Sequence, residues 1–193
     1  MQPNKQPRHL QSSTSELRIL SANIRGFHTN VGELTHQFIT KHKVDIAFVE
    51  ETFLDGTVSP NYGKIPGYTS WHRKDRHTQG GGVALCFKKN LHIQLIDYPT
   101  PDNLEMLIFK YIDRDLGTIL CCGCYRPPTQ GPQLLEFLME NLDLLVKANN
   151  CKYVLLFGDL NQHRVQTVFD DLLAVYDLQN YVNFPTHTHL ALL

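Results

Sequence analysis

The sequence of 193 residues has no long apolar run and no large charge of either sign. Because no stretch of about 18 apolar residues occurs, a membrane span is not expected, and the polar N-terminus predicts no secretory signal. The net charge of −1 excludes a bulk attraction to nucleic acid, so any binding of a polyanion must come from a local patch. The chain also lacks a GxSxG nucleophile motif and a phosphate-binding loop with its Lys-Ser/Thr pair.

The chain has only five cysteines, which is an odd number. Three of them cluster as Cys121, Cys122 and Cys124, without a second cluster at the spacing of a zinc site. We therefore expect reduced thiols in or beside a strand and a nuclear or cytoplasmic protein that is not secreted. The sequence indicates no obligate protein partner.

The composition is typical of a single soluble domain. Hydrophobic residues make up 42% of the chain and charged residues 19%, which is ordinary for a globular protein, and the length suffices to bury a sizeable core. Residues 1–15 are polar and contain Pro and Ser, so they are expected to be a disordered lead-in. The folded domain is then predicted to span residues 16–193.

The segment YVLLFGDLN, residues 153–161, is the most informative part of the chain. Its five leading apolar residues predict a short buried strand. Asp159 and Asn161 follow Gly158, so a carboxylate and an amide are expected at the rim of the sheet, where α/β folds assemble their chemistry. The alternative is that Asp159 and Asn161 only form the turn that ends the strand, because both residue types favour turns.

Three further predicted strands also end in polar side chains. The first strand carries Asn23 near its end, the second is followed by Glu50 and Glu51, and a later one ends in Tyr125. Successive strand residues face opposite ways, so at most one of the two glutamates is expected to point into a given cleft. Simpler interpretations stay open, with Asn23 as a turn former and Tyr125 as a half-buried aromatic whose hydroxyl is wet.

Strands and helices mix along the rest of the chain. The predicted strands span residues 17–24, 44–49, 83–87, 91–96, 104–111, 118–125 and 178–184. The predicted helices span residues 31–42, 132–147 and 165–175. Asn30 and Glu33 resemble a capping box at the start of the first helix. The four consecutive strands between 83 and 125 are expected to pair antiparallel, because their connections are short.

A basic run, WHRKDRH, lies at residues 71–77 within a loop rich in Gly and Pro. One interpretation is a solvated hairpin face. The other is contact with a phosphate backbone, in which the nucleic-acid-binding residues would be Arg73, Lys74, Arg76 and Arg126. The glycines at 80–82 would let the backbone approach a neighbour closely.

The residue types at the four polar strand ends suit metal-assisted phosphate chemistry. One carboxylate can hold a Mg²⁺ ion that keeps most of its waters and takes other ligands from a substrate phosphate. A second carboxylate can orient or deprotonate the attacking water. A tyrosine hydroxyl and an asparagine amide can donate to oxygens that gain charge in the transition state.

The ordered strings SANIRG, VEET, CYRPP and GDLN resemble the motifs of the endonuclease/exonuclease/phosphatase superfamily. The loop GYTSWHRKDRHTQGGG and the closing FPTHTH are similar to the apurinic-type endonuclease domains of non-LTR retrotransposons. The resemblance covers roughly residues 17–190 and implies an α/β fold, a four-layered sandwich of two mixed sheets with helices outside. It also implies hydrolysis of a phosphodiester, DNA as the substrate, and Mg²⁺ as the cofactor, with Mn²⁺ as a substitute.

The resemblance assigns a role to each strand-end residue. Glu51 would be the metal ligand, and Asn23 a supporting ligand or hydrogen-bond donor. Tyr125 would contact the scissile phosphate. Asp159 would position or activate the nucleophilic water, and Asn161 would bind the phosphoryl oxygens.

Two departures from the family pattern bear on activity. Arg25 stands where several DNA-repair relatives have a carboxylate. The Asp-bearing strand and the Ser-Asp-His motif that follow PTH in the family are absent, so the resemblance implies a sandwich that is incomplete at its C-terminus. His187 and His189 do not stand in the context needed to replace the missing pair. Three functions stay open: a metal-dependent DNA-nicking endonuclease or related phosphodiesterase, a catalytically dead remnant or binding module, and a phosphatase-type relative acting on a small phosphate ester or phosphoinositide.

Overall fold

The computed structural model describes residues 16–182, and two four-stranded sheets form its framework. The first sheet has the order β1-β2-β4-β3 and contains β1 (Ile19–Asn23), β2 (Ile46–Glu50), β3 (His72–Lys74) and β4 (Val83–Phe87). The second has the order β5-β6-β7-β8 and contains β5 (Ile93–Leu95), β6 (Glu105–Asp113), β7 (Gly117–Tyr125) and β8 (Tyr153–Asp159). In each sheet one pair is parallel, β1 with β2 and β7 with β8, and the other pairs are antiparallel.

Helices cover the outer faces of this sandwich. Helix α1 (Phe27–Glu33) continues as a π-helix (Leu34–Thr40), and it packs with the outer face of the first sheet. Helices α2 (Gln133–Ala148) and α3 (Gln166–Tyr176) pack on the second sheet, and a short 3₁₀ turn (Gln162–Arg164) precedes α3. The α/β sandwich of two mixed sheets with helices outside is therefore confirmed.

The interior between the sheets is filled by alternate residues of the strands. Phe48 of β2 meets Phe157 of β8 edge-on, with ring centroids 5.5 Å apart, and Phe157 also meets Phe109 of β6. On the outer face the predicted leucine stripe of α2 is fully buried against the second sheet. Because residues on one face of a strand recur every second position, this packing fixes which side chains reach the space between the sheets.

The first helix differs from its predicted form. It begins at Phe27, four residues before the predicted start, and Asn30 does not act as its N-cap. The Asn30 side-chain amide instead donates to the carbonyl of Ile24, at 2.7 Å, and ties the helix to the end of β1. The capping-box interpretation is therefore wrong, because Asn30 lies inside the helix and its side chain binds the carbonyl of Ile24 just before the helix.

Strand pairing also departs from the prediction at one point. β4 and β5 follow each other along the chain, but they belong to different sheets, so only the pairs β5–β6 and β6–β7 are the expected antiparallel hairpins. The chain crosses from one sheet to the other between them. Residues 178–182 form no strand. The rest of that predicted strand, His187 and His189, and the predicted lead-in at 1–15 lie outside the described residues.

The five cysteines are free, as expected. Four of them are buried in β4 and β7, and burial raises the pKa of the Cys122 thiol well above its usual range. Such thiols are poor nucleophiles and metal ligands, so they act here as small apolar residues. Within residues 16–182 no helix is long and apolar enough to cross a membrane.

Candidate active site

The registers of both sheets bring the predicted strand ends to one rim of the sandwich. In the first sheet Asn23 is paired with Glu50, the last residue of β2. In the second sheet Glu105, Tyr125 and Asp159 are paired across β6, β7 and β8. The four predicted polar strand ends therefore meet at a common edge, and Glu51 follows directly after β2.

Tyr125 joins the two sheets at this rim. Its hydroxyl donates a hydrogen bond of 2.6 Å to Oε1 of Glu51, and the side chain is only 3% exposed. Burial raises the pKa of Tyr125 well above its usual range, and the nearby carboxylates of Glu51, Glu105 and Asp159 add to this. The hydroxyl is thus a neutral donor that lies within electrostatic reach of both Glu51 and Asp159, so these two carboxylates share one region.

The backbone at Glu51 takes a left-handed conformation, with φ at 53°. Its carbonyl accepts the N–H of Gly26 at 2.8 Å, and the next residue, Thr52, donates to the carbonyl of Gly82 at 3.2 Å. Non-glycine residues in this conformation cost free energy and occur preferentially at functional sites. This turn interrupts the strand alternation after Glu50, so alternation does not determine the direction of the Glu51 side chain.

Glu50 is the second glutamate, and the sequence interpretation assigned it no role. It is fully buried, and its Oε1 accepts the hydroxyl of Ser21 at 2.6 Å. Burial raises the pKa of Glu50 to about 7, although the Ser21 hydrogen bond opposes this, and the negative charge of Asp159 raises it further. The signal in the sequence was the adjacent pair of acidic residues directly after an apolar strand.

Asp159 and Asn161 form a turn and also line the rim, so the two interpretations of GDLN are compatible. The Asn161 N–H donates to Oδ1 of Asp159 at 3.3 Å, and Asn161 has a φ of 44°. Its side-chain amide donates one hydrogen to the carbonyl of Arg126 at 2.9 Å. Because an amide carries two hydrogens, this bond engages one of the two.

Arg126 corrects one of the nucleic-acid-binding assignments. Its side chain is fully buried, and its guanidinium donates to the carbonyls of Leu160 at 2.7 Å, of Asn161 at 2.5 Å and of Gln130. A guanidinium surrounded by main-chain carbonyls is not a surface contact for DNA. Arg126 instead fixes the loop that carries Asn161.

The basic run is largely engaged within the protein. Arg73 donates to the carbonyl of Val58 at 3.0 Å and approaches Asp75 at 3.3 Å. The ammonium of Lys74 donates to the Thr100 hydroxyl at 3.0 Å. These side chains therefore form neither a fully solvated hairpin face nor a patch that is free of contacts within the protein.

Arg76 is the member of the run that combines a fixed position with exposure. Its guanidinium lies 2.7 Å from Oε1 of Glu105, and its side chain is 48% exposed. Glu105 itself is buried at the rim. The sequence interpretation missed Glu105 because it lies inside a predicted strand, where a lone acidic residue carries no local signal.

The oxygen atoms at the rim suit a hard divalent cation. Oδ1 of Asn23 is buried without a hydrogen-bond partner, and Glu51 offers a carboxylate nearby. Residues 16–182 contain no cluster of three or more His, Cys, Asp or Glu side chains that could hold a metal. Mg²⁺ binds through one or two carboxylates together with waters and substrate phosphate, so the residues present fit this ion. Arg25 is exposed beside Asn23 in the chain and adds no carboxylate.

Solved structures with the same fold include several nucleases and phosphatases. The endonuclease domain of TRAS1, a telomere-specific non-LTR retrotransposon, is 18% identical with a TM-score of 0.62, over 89% of this chain and 76% of that chain. An endonuclease/exonuclease/phosphatase family protein from Bacteroides thetaiotaomicron is 17% identical with a TM-score of 0.58, over 80% and 68%. The 3′ phosphatase NExo from Neisseria, bound to product DNA hairpin, is 14% identical with a TM-score of 0.57, over 83% and 71%.

No curated protein matches the sequence. The profile of the Endonuclease/Exonuclease/phosphatase family matches residues 20–189, which is most of the chain. This span includes every strand and helix described above except the first residue of β1. The chain therefore has the phosphodiesterase and nuclease fold of that family, and it belongs to the endonuclease/exonuclease/phosphatase family.

Proposed function

We propose that this chain is a metal-dependent phosphodiester hydrolase that nicks DNA in the manner of a retrotransposon endonuclease. The observation that carries the proposal is the hydrogen bond from Tyr125 to Glu51, which joins the two sheets beside Asp159. The fold similarity to the TRAS1 endonuclease domain and to a phosphatase bound to a DNA hairpin supports a nucleic-acid substrate.

Enzymes of this family generally depend on a divalent metal. In this chain Glu51 and the unpartnered Oδ1 of Asn23 would hold Mg²⁺, or Mn²⁺ in its place. The ion supplies positive charge that a phosphoryl oxygen needs as it becomes more negative. Oxygen-only donors of this kind favour Mg²⁺ and Mn²⁺ over softer metals.

Each of the remaining rim residues has a separate role in the proposed hydrolysis. Asp159 accepts a proton from the water that attacks phosphorus, and the bond from phosphorus to the leaving oxygen then breaks. The leaving oxygen takes its proton from solvent. The second amide hydrogen of Asn161 donates to a phosphoryl oxygen, whose charge rises in the transition state. The Tyr125 hydroxyl has a single hydrogen, which turns from Glu51 to another phosphoryl oxygen when the phosphate is bound.

Arg76 is proposed as the main contact to a phosphate outside the reacting one. Its guanidinium is held by Glu105 at the rim and stays half exposed, and arginine can bind a phosphate through two hydrogen bonds. Arg73 and Lys74 contribute charge from β3, which ends two residues before Arg76. Their hydrogen bonds to Val58 and Thr100 hold them in place.

A supercoiled plasmid provides the test. We expect nicking with Mg²⁺, none with EDTA, and a loss of at least 100-fold in Glu51→Gln and in Asp159→Asn, as for loss of a central catalytic group. Asp143→Asn, an exposed carboxylate on α2, is the matched control and should nick like the wild type. Nicking that persists in both rim variants would contradict the proposal. Absence of nicking despite metal binding would favour a binding module, and preferential hydrolysis of a small phosphate ester would favour a phosphatase.

A further inference from the structure

The segment from Glu50 to Phe53 is held by backbone hydrogen bonds on both sides. On one side Ile24, Gly26 and Phe27 donate to the carbonyls of residues 50, 51 and 52, at 2.8 to 3.0 Å. On the other side the N–H groups of residues 52 and 53 donate to the carbonyls of Gly82 and Gly81, at 3.2 and 3.1 Å. We call residues 24–27 and 81–82 together the Glu51 clamp.

The clamp holds a backbone that would not adopt this shape alone. Glu51 and Phe53 both have positive φ, at 53° and 55°. Left-handed non-glycine residues persist only where their surroundings over-determine them. The direction in which the Glu51 carboxylate points therefore depends on the position of the Gly81–Gly82 segment.

Glu105 fixes that segment from the opposite sheet. Its Oε2 accepts the N–H of Gly82, and its Oε1 pairs with the guanidinium of Arg76 at 2.7 Å. Glu105 is 3% exposed, so these bonds act in a region from which water is largely excluded. Charge-assisted bonds of this kind are stronger than neutral ones.

The two glycines at positions 81 and 82 leave no space for adjustment. Both have positive φ, at 75° and 83°. A Cβ at Gly81 would lie 2.7 Å from Oε2 of Glu105, and a Cβ at Gly82 would lie 2.5 Å from the hydroxyl oxygen of the buried Thr52. The Glu105 carboxylate and the clamp are thus in direct contact, and a shift of one must move the other.

Glu105 and Tyr125 are directly paired in the register of β6 and β7. Tyr125 binds the Glu51 carboxylate itself, whereas Glu105 binds the segment that holds the Glu51 backbone. We propose that Glu105, with Arg76 as its counter-ion, is a positioning residue that sets the orientation of the Glu51 carboxylate for metal binding. This inference rests on the proposed function for the role of Glu51.

The test compares Glu105→Gln with Asp113→Asn, which lies at the other end of β6 and likewise accepts backbone N–H groups. Binding of Mn²⁺ alone is measured by calorimetry, without DNA, and plasmid nicking is then measured at saturating Mn²⁺. We expect Glu105→Gln to weaken Mn²⁺ binding about 10-fold or more, as for partners that orient metal ligands. Its kcat should fall by a similar factor, and KM for DNA should rise, because Arg76 loses the carboxylate that holds it. Asp113→Asn should change none of these quantities.

A Glu105→Gln protein whose Mn²⁺ affinity and kcat both stay within about twofold of the wild type would overturn the proposal. If this variant does not fold, Arg76→Met replaces it, because the aliphatic part of the side chain is kept and only the ion pair is removed. Mn²⁺ binding without DNA should then weaken at least about threefold, and unchanged binding would overturn the proposal. A wild type that binds Mn²⁺ but cuts no DNA refutes the nuclease function alone, since the effect of Glu105→Gln on Mn²⁺ binding still tests the positioning role.

Discussion

The hydroxyl of Tyr125 and the carboxylate of Glu51 are 2.6 Å apart although 74 residues separate them along the chain. Tyr125 ends β7 in the second sheet, and Glu51 follows β2 in the first. A hydrogen bond to a charged group contributes about 1.5–3 kcal/mol when it is shielded from water. The bond therefore links the packing of the two sheets to the geometry of the proposed metal ligand.

Replacement of Tyr125 by phenylalanine should reduce both the rate of nicking and the free energy of unfolding. The variant keeps the buried ring but loses the single O–H that donates to Glu51 in the free protein and that we propose donates to the bound phosphate, so we expect kcat to fall about 100-fold. The free energy of unfolding should fall by about 1.5–3 kcal/mol, the contribution of a hydrogen bond to a charged group. Tyr111→Phe is the control, because its hydroxyl also bonds a carboxylate, Asp113, but at the opposite end of the sheet. Equal effects of the two substitutions on nicking would contradict the role of Tyr125.

Replacement of Arg126 by methionine should destabilise the protein strongly. Three main-chain carbonyls, those of Leu160, Gln130 and Asn161, would lose their donor inside the protein. An unsatisfied buried polar group costs about 1–3 kcal/mol, so urea unfolding should show a loss of about 3 kcal/mol or more. Arg18→Met, at an exposed side chain, should cost about 0.5 kcal/mol or less. A mild effect of Arg126→Met, with DNA affinity alone reduced, would restore the surface interpretation.

Substitution of alanine for Gly158 should disrupt the rim directly before Asp159. Gly158 has a φ of 125°, and a Cβ there would overlap the carbonyl of Cys124 in the neighbouring strand. We expect a loss of more than about 3 kcal/mol in unfolding free energy together with loss of nicking, from combined strain and overpacking. Gly56→Ala, where a Cβ meets no atom within 4 Å, should leave both measurements nearly unchanged. Similar melting temperatures for the two variants would refute this account.

Alkaline solution should destabilise the protein partly through Tyr68. Its hydroxyl donates to the carbonyl of Val44, and burial raises the pKa of Tyr68 from 10.0 to about 12. Between these values the folded state keeps a proton that the unfolded state has lost, so stability must fall as the pH rises through this window. Denaturation curves across the window should show a shallower fall for Tyr68→Phe. Some slope will remain, because burial also raises the pKa of Tyr111 to about 12. An identical slope in the variant would exclude Tyr68 as a contributor.

The polar strand ends could be predicted from sequence because strand pairing places the last residues of neighbouring strands at one edge of the sheet. An apolar strand that ends in Asn23 or Asp159 places that residue at an edge, and adjacent strands bring their ends together. A continuous apolar run likewise sufficed to locate β4, and leucines at helical spacing sufficed to locate the buried stripe of α2. These inferences need only local patterns.

The rest of the site depends on contacts between distant segments. Glu51 has a left-handed backbone because loops at 24–27 and 81–82 hold it, and strand alternation cannot foresee that. The sequence alone suggests a DNA contact for Arg126, because the pattern does not show that the loop at 160–161 covers its side chain. The Arg76–Glu105 pair joins residues 29 positions apart, and no local pattern marks it.

The division of the rim between two sheets has a consequence for when the proposed cutting activity would arise during synthesis. Glu51 belongs to the half of the chain that leaves the ribosome first, whereas Asp159 follows more than 100 residues later. A nascent chain with only its first sheet folded would carry the proposed metal ligand without the proposed base. The proposed hydrolase would then cut no nucleic acid until both sheets have folded.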